Sequence, residues 1–315
     1  MMGKNLARRI AIFLLALLPA MAAAFDWHTP QMASRLWKIS KAGQPDSYLL
    51  GTHHVGREGD TLPDGIRRIL LQSDRLITEV AMPSKPDAAY GRDVAAMRAR
   101  AFQNGGRKLS AVIGVENVAA LKKRAAAYPP TAASAARLDE MTAWGALMLQ
   151  SSIKPRGFQT ASGVDRLLAR AAEQYRIPAY GLESYNDITR PYEILPEARI
   201  AELIAANNRH PEQTAAQTER QYTLYQTGRL QELMRLSADS GAYGKGLPPE
   251  SIAFWQNWLE QSVLLPRNRA WLPKILNELP KRRNLIAVGI AHLPDEGGLI
   301  MQLRRQGYTV EPVIE

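Results

Sequence analysis

Apolar positions recur along this chain with two different periods. Short runs at 36–39, 48–51, 75–80, 177–182, 285–289 and 308–313 are rich in Leu, Ile, Val or Tyr and bounded by Gly, Pro or charge, which predicts six strands. Between them, apolar residues spaced by three and four predict helices over 65–73, 88–103, 115–128, 138–151, 164–175, 198–207, 211–226 and 252–265. The strands gather toward the two ends of the chain and the helices toward its middle. That distribution predicts an α/β fold with one mixed sheet built from both ends and a large helical insertion between them, rather than two tandem domains.

The two ends also resemble each other. Residues 49–80 and 287–313 each give a strand, Gly-x-x-His, Leu-Pro-Asp, an amphipathic helix and a strand containing Glu. The landmarks pair Gly51 and His54 with Gly289 and His292, Leu62-Pro63-Asp64 with Leu293-Pro294-Asp295, and Glu79 with Glu311. Gly and Pro after a strand are ordinary turn chemistry, but the ordered set points to a duplicated strand-GxxH-helix-strand unit. Such a unit predicts that His54 and His292 follow equivalent strands and meet in one site.

Composition then limits the partners. The chain has 315 residues, 46% hydrophobic and 22% charged, enough to bury a substantial core. Residues 1–24 carry a basic start, an apolar run from Ile10 to Leu18, Pro19 and then Ala22-Ala23-Ala24, the pattern of a secretory signal peptide. That run is shorter than the roughly 20 residues a stable membrane anchor needs. The expectation is a cleaved signal over 1–24, a single domain over 25–315 with no stable membrane span, and a periplasmic or secreted bacterial protein. Formal charge is +10, from 40 Lys and Arg against 30 Asp and Glu, and +7 (37 against 30) without Lys4, Arg8 and Arg9. The basic residues alternate with acids instead of forming one face, which argues against nucleic acid as a partner. With no cysteine, disulfides, thiolate metal sites and iron–sulfur clusters are excluded, so any metal must be held by His, Asp or Glu.

Chemistry concentrates at a few positions. There are five histidines, His28, His53, His54, His210 and His292. His54 and His292 close the two Gly-x-x-His motifs just past the carboxyl ends of apolar strands, where α/β folds place ligand and catalytic groups. A neutral imidazole there is a metal ligand or a general base, although a hydrogen-bonded strand-end turn would use the same residues. His53 and His54 are neighbours in extended chain and point to opposite faces, so one of them enters the site. The motif spacing selects His54 and leaves His53 a supporting or packing role. Glu79 lies inside an apolar strand run and Glu183 ends another; a buried carboxylate needs a cation, a hydrogen bond or a metal. Arg267-Asn268-Arg269 follows a helix containing Trp255 and Trp258, and its guanidinium groups can orient an acid, while a solvated helix end accounts for them equally well. His28 and His210 have surface settings. No Gly-x-Ser-x-Gly elbow, phosphate-binding Gly-Lys-Ser/Thr loop, His-Glu-x-x-His helix or Rossmann glycine fingerprint is present.

Several short motifs occur in a specific order: Leu50-Gly51-Thr52-His53-His54-Val55-Gly56, Thr78-Glu79-Val80, Gly163-Val164-Asp165, Gly181-Leu182-Glu183, Arg267-Asn268-Arg269, and Val288-Gly289-Ile290-Ala291-His292-Leu293 with Gly298-Leu299 and Gly307-Tyr308-Thr309-Val310. In this order they resemble the TraB/GumN family, relatives of the Tiki metalloproteases, over essentially all of the mature chain. The resemblance implies an α/β fold with duplicated halves and a site of two Gly-x-x-His histidines with a required Glu, here His54, His292 and Glu79. In the Tiki branch it implies a peptidase using Mn²⁺ or Co²⁺. The residue before the first motif histidine is usually apolar, and here it is His53, so His53 or His54 stands as the ligand. By ligand chemistry alone, imidazole with carboxylate also suits Zn²⁺ or Fe²⁺.

Two functions therefore compete. The first is an exported metal-dependent hydrolase, foremost a peptidase acting on a peptide or protein, with His54, His292 and Glu79 as ligands and catalytic groups and with Glu183 and Arg267 in the catalytic set. The second is a non-catalytic binding protein that captures a peptide or glycan in the same cleft.

Overall fold

The computed structural model describes residues 31–83, 87–238 and 245–314. The expected signal and His28 lie outside them. Six strands form one sheet: β1 (Leu36–Ser40), β2 (Ser47–Thr52), β4 (Arg75–Val80), β6 (Ala179–Glu183), β7 (Asn284–Gly289) and β8 (Thr309–Pro312). Two further strands of two residues each, β3 (Gly56–Arg57) and β5 (Phe158–Gln159), pair with each other apart from it. The order in the large sheet is β6-β4-β7-β2-β1-β8. Strands β6, β4, β7 and β2 are parallel neighbours, and β1 pairs antiparallel with both β2 and β8. The sheet is thus mixed and draws strands from both chain ends, as the pattern predicts.

Burial explains which strands lie inside. Every residue of β7, Asn-Leu-Ile-Ala-Val-Gly, is buried, the continuous apolar run of a parallel strand covered on both faces. Its neighbour β2 is buried at all positions but Tyr48. The edge strand β8 buries only Val310. Helix Asp64–Gln72 packs against helix Val164–Gln174, and helix Leu265–Glu278 packs against helix Leu299–Arg305. Helix Asp64–Gln72 connects β2 to β4, and helix Leu265–Glu278 leads into β7. A second apolar cluster, with Leu121, Leu138, Ile200, Ile204 and Trp255, forms the core of the helical insertion.

The duplicated unit holds in outline and diverges in detail. Strands β2 and β7 lie side by side, so the loops bearing His54 and His292 leave adjacent parallel strand ends. The second halves differ, because β4 sits next to β7 while β1 intervenes between β2 and β8. Asp64 opens its helix directly after Pro63, whereas Asp295 has φ 68° and its helix starts at Leu299. Glu79 is turned into the molecule, but Glu311 is exposed on the edge strand, so that pairing of landmarks carries no shared chemistry. The helix expected over 252–265 is longer than its pattern: Pro249–Trp258 continues through a π-helical turn, Leu259–Leu264, into Leu265–Glu278. Helices Tyr185–Glu193 and Leu230–Ala238 were not predicted; each is nine residues long, and the first contains Pro191, which breaks the apolar periodicity.

Candidate active site

Four parallel strands end on one side of the sheet, and their last residues deliver the predicted groups together. Glu79 from β4, Glu183 from β6, His54 after β2 and His292 after β7 converge there. Arg267, in the first turn of helix Leu265–Glu278, reaches the same point. Glu79 is the hub. Its Oε1 accepts from the backbone N–H of Gly289 at 2.6 Å and lies 3.9 Å from His54 Nε2 and 3.8 Å from His292 Nε2. Its Oε2 accepts from an Arg267 terminal nitrogen at 2.6 Å.

Arg267 joins the two acids. Its Nε donates to Glu183 Oε1 at 2.9 Å, and Glu183 Oε2 accepts from Trp271 Nε1 at 3.1 Å. Arg267 and Glu183 are 12% and 5% exposed, so this is a buried, hydrogen-bonded ion-pair network rather than a solvated helix end. Burial opposes the charge on Glu79, yet His54, Arg267, His292 and the Gly289 N–H hold its carboxyl down at about 2. Burial pushes Glu183 above the usual carboxylate range, with Arg267 working against it. Asn268 is 2% exposed and Trp271 fully buried, so one helical face contributes Arg267, Asn268 and Trp271.

The two histidines are held through their Nδ1 atoms. Asn268 Nδ2 donates to the carbonyls of His292 at 3.2 Å and Gly297 at 3.0 Å, which fixes the amide so that its oxygen faces His292. His292 Nδ1 therefore carries the proton and donates to Asn268 Oδ1 at 2.7 Å, leaving Nε2 with a free electron pair. An Arg267 terminal nitrogen donates to that Nε2 at 3.2 Å. Burial pushes His292 down to about 3, so the ring is neutral. His54 Nδ1 lies 3.4 Å from Asp165 Oδ2, while Asp165 Oδ1 is sealed from water with no hydrogen-bond partner among the described residues. Burial lowers His54, but Asp165 and Glu79 outweigh it and raise the ring to about 9. Its side chain is 53% exposed, the one group of the set that opens to solvent.

Small residues make this convergence possible. A Cβ on Gly289 would stand 2.9 Å from His54 Nε2 and 3.2 Å from Glu79 Oε1, and one on Gly163 would meet the His54 carbonyl at 2.5 Å. Val164 N–H donates to the His53 carbonyl at 2.9 Å, pinning the histidine loop to the start of helix Val164–Gln174. His53 itself turns away. It stacks on Tyr225 with ring centroids 5.5 Å apart, its Nδ1 contacts the Val55 carbonyl at 2.7 Å, and burial lowers its pKa. His54 is thus the histidine that faces Glu79. His210 lies elsewhere, 3.4 Å from Glu212.

A family model, that of the TraB/PrgY/gumN family, matches residues 35–312. The chain belongs to the TraB/PrgY/gumN family. No curated protein and no solved structure matches the chain. Within the family match fall all of the site residues, including two that sequence reasoning did not select. Asp165 was visible only as the last residue of the Gly-Val-Asp helix start, and Asn268 only as the middle of Arg-Asn-Arg.

For a divalent cation the donor set fits: two imidazole Nε2 atoms face one carboxylate oxygen, each imidazole is oriented at Nδ1 by an oxygen, and Asp165 retains an unpartnered oxygen behind His54. Ligand bonds of about 2.1 Å in a tetrahedral arrangement put donor atoms about 3.4 Å apart, so the observed spacings are a few tenths of an ångström wide. Among the described residues no three His, Asp or Glu side chains already stand at coordinating distance. Arg267, donating to His292 Nε2, would have to yield for a cation to reach that nitrogen. No described helix is long and apolar enough to cross a membrane.

Proposed function

We propose that this chain is an exported, divalent-metal-dependent hydrolase acting on peptide bonds, with His54, His292 and Glu79 as metal ligands. One observation carries the reading. Each histidine has its Nδ1 committed to an oxygen, Asp165 or Asn268, which leaves both Nε2 atoms directed at Glu79 Oε1. Purely structural histidines have no need to share one carboxylate oxygen.

A metal held there would polarise the scissile carbonyl and make a bound water acidic. The protein's own groups do the rest. Arg267 and the Gly289 N–H keep Glu79 anionic and fix both of its oxygens. Glu183, itself held by Trp271, keeps Arg267 in place, so Arg267 and Glu183 are positioning residues in this scheme. Asp165 holds the His54 ring at Nδ1 and keeps its Nε2 turned toward Glu79. Beside Arg267 and Glu183 opens a cavity of about 490 Å³, walled by Pro191, Ile194 and Trp271 together with Arg190 and Lys274. That space suits a substrate side chain. Mn²⁺ or Co²⁺ is the metal proposed from the Tiki resemblance, with Zn²⁺ or Fe²⁺ equally suited by donor type.

A second reading, a non-catalytic peptide- or glycan-binding protein, is favoured by one contact: Arg267 already occupies the electron pair of His292 that a metal would need. Chelator-stripped protein titrated with Mn²⁺ and Co²⁺, followed by peptide-library cleavage with wild type, His54→Ala, His292→Ala and Glu79→Gln, decides between them. Stoichiometric metal uptake and cleavage lost in all three variants support the hydrolase; peptide or glycan capture without metal or cleavage supports the binder.

A further inference from the structure

The helical insertion holds a second pocket, about 270 Å³, away from the site just described. Its walls come from helix Val115–Ala127, the end of helix Ala143–Ser152 with the segment after it, the end of helix Glu197–Arg209, and helix Pro211–Gln226; Arg124, Lys154, Gln150, Asn207 and Thr214 are among its lining residues. Two cations line this pocket, and among the described residues no Asp or Glu does.

Among the described residues no acid neutralises either cation. The Arg124 terminal nitrogens donate to the Asn207 carbonyl at 3.2 Å and to Asn208 Oδ1 at 2.7 Å, both uncharged acceptors, and its Nε is sealed from water with no acceptor among the described residues. Lys154 donates to the Ser151 carbonyl. Burial lowers the pKa of both groups, and no carboxylate among the described residues acts against that burial. A half-buried arginine usually stands opposite a carboxylate, because an uncompensated buried charge is costly. The chain follows that rule elsewhere, with Arg75 on Glu278 and Arg100 on Glu193. The polar groups behind Arg124 are amides tied to one another. Asn207 Nδ2 donates to Gln150 Oε1 at 3.0 Å, and Asn208 Nδ2 donates to Asn117 Oδ1 at 3.1 Å. They hold the guanidinium in place without cancelling its charge.

What the pocket lacks is an anion that accepts several hydrogen bonds. Of the four N–H groups on the Arg124 terminal nitrogens two are spent, and one of the three on Lys154 is spent, so four charged donors remain. A planar carboxylate offers two oxygens, while a phosphoryl or sulfuryl group offers three or more in the tetrahedral spread that suits donors arriving from separate segments of the chain. We propose that this pocket binds a tetrahedral oxyanion, a phosphate or sulfate group, clamped between Arg124 and Lys154. The site is separate from Glu79 and its neighbours and stands whether or not the hydrolase reading holds.

Thermal denaturation and calorimetry with inorganic phosphate test this, with sulfate and glucose 6-phosphate in parallel arms and ionic strength held constant with sodium chloride. Phosphate or sulfate is expected to raise the melting temperature saturably, by roughly 5 °C at a hundredfold excess over Kd. A larger response to glucose 6-phosphate than to phosphate assigns the occupant to a phosphorylated sugar, and the reverse assigns it to the free oxyanion. Arg124→Gln and Lys154→Gln each remove an uncompensated charge, so both should fold at least as stably as wild type without anion and lose the response. Should Arg124→Gln fail to fold, Lys154→Gln carries the test alone. Equal shifts with chloride at matched ionic strength, or a full response in the folded variants, overturn the proposal.

Discussion

Glu79 and Gly289 are neighbours across two parallel strands: the carboxylate accepts the glycine's N–H at 2.6 Å, and a Cβ on that glycine would lie 2.9 Å from His54 Nε2. Gly289 has φ −51° and ψ 135°, a conformation open to any residue, so the glycine is required by the space in front of it and not by its backbone. Gly289→Ala is expected to keep the sheet, with stability within about 1 kcal/mol of wild type, while displacing His54 and abolishing metal binding. Melting temperature and metal titration on the same preparation check this; unchanged metal affinity would remove the glycine from the account.

Asp165 holds His54 from behind at 3.4 Å. Asp165→Asn removes the charge that raises His54, so the ring's pKa should fall from about 9 toward its ordinary value, followed by NMR of the imidazole protons. Metal affinity should drop about 10- to 100-fold, the usual cost of losing an outer-sphere carboxylate. An unaltered His54 titration would show that Asp165 serves only the helix start.

Arg267 is the counter-ion of two buried acids. Arg267→Ala takes the guanidinium from both Glu79 and Glu183 and should cost about 3 to 5 kcal/mol. Adding Glu183→Gln should recover part of that loss, because Glu183 is the acid that burial already pushes upward. Denaturant unfolding of the single and double variants measures the coupling. Strict additivity would deny that the three side chains form one network.

Acid stability of the metal-free protein follows from His292. Its folded pKa, about 3, lies below the unfolded value near 6.5, so the unfolded chain binds the proton first. The contribution of His292 is complete above about pH 6.5 and is lost as pH falls toward 3. Glu79, depressed to about 2 from 4.5, adds a second loss at the lower end of the same range. His54 runs the other way, since its raised pKa contributes fully below about 6.5 and is lost as pH rises toward 9; its exposure makes this the smaller effect. His292→Gln should flatten the profile between pH 6.5 and 4.5, and an unchanged slope would contradict the buried neutral ring.

Much of this was legible in the chain because the sheet is simple and buried. Runs such as Leu-Ile-Ala-Val in β7 have one stable place, the sheet centre, and the two Gly-x-x-His motifs mark the ends of adjacent strands. Glu79 and Glu183 stood out as acids in apolar runs. Arg267 was ambiguous because the helix pattern stops at 265, whereas the chain continues through a π-helical turn that rotates Arg267, Asn268 and Trp271 inward. Asp165 and Asn268 were missed for a related reason: each acts through a histidine far away in sequence, and only the folded sheet brings them within reach.

The central claim is that His54, His292 and Glu79 form one cation site, and it is tested most directly by anomalous diffraction from crystals soaked in Mn²⁺. The account predicts a single strong peak bonded to His54 Nε2, His292 Nε2 and Glu79, with Arg267 withdrawn from His292 and still held by Glu183. A soaked crystal with no peak there, and Arg267 still donating to His292 Nε2, would contradict it.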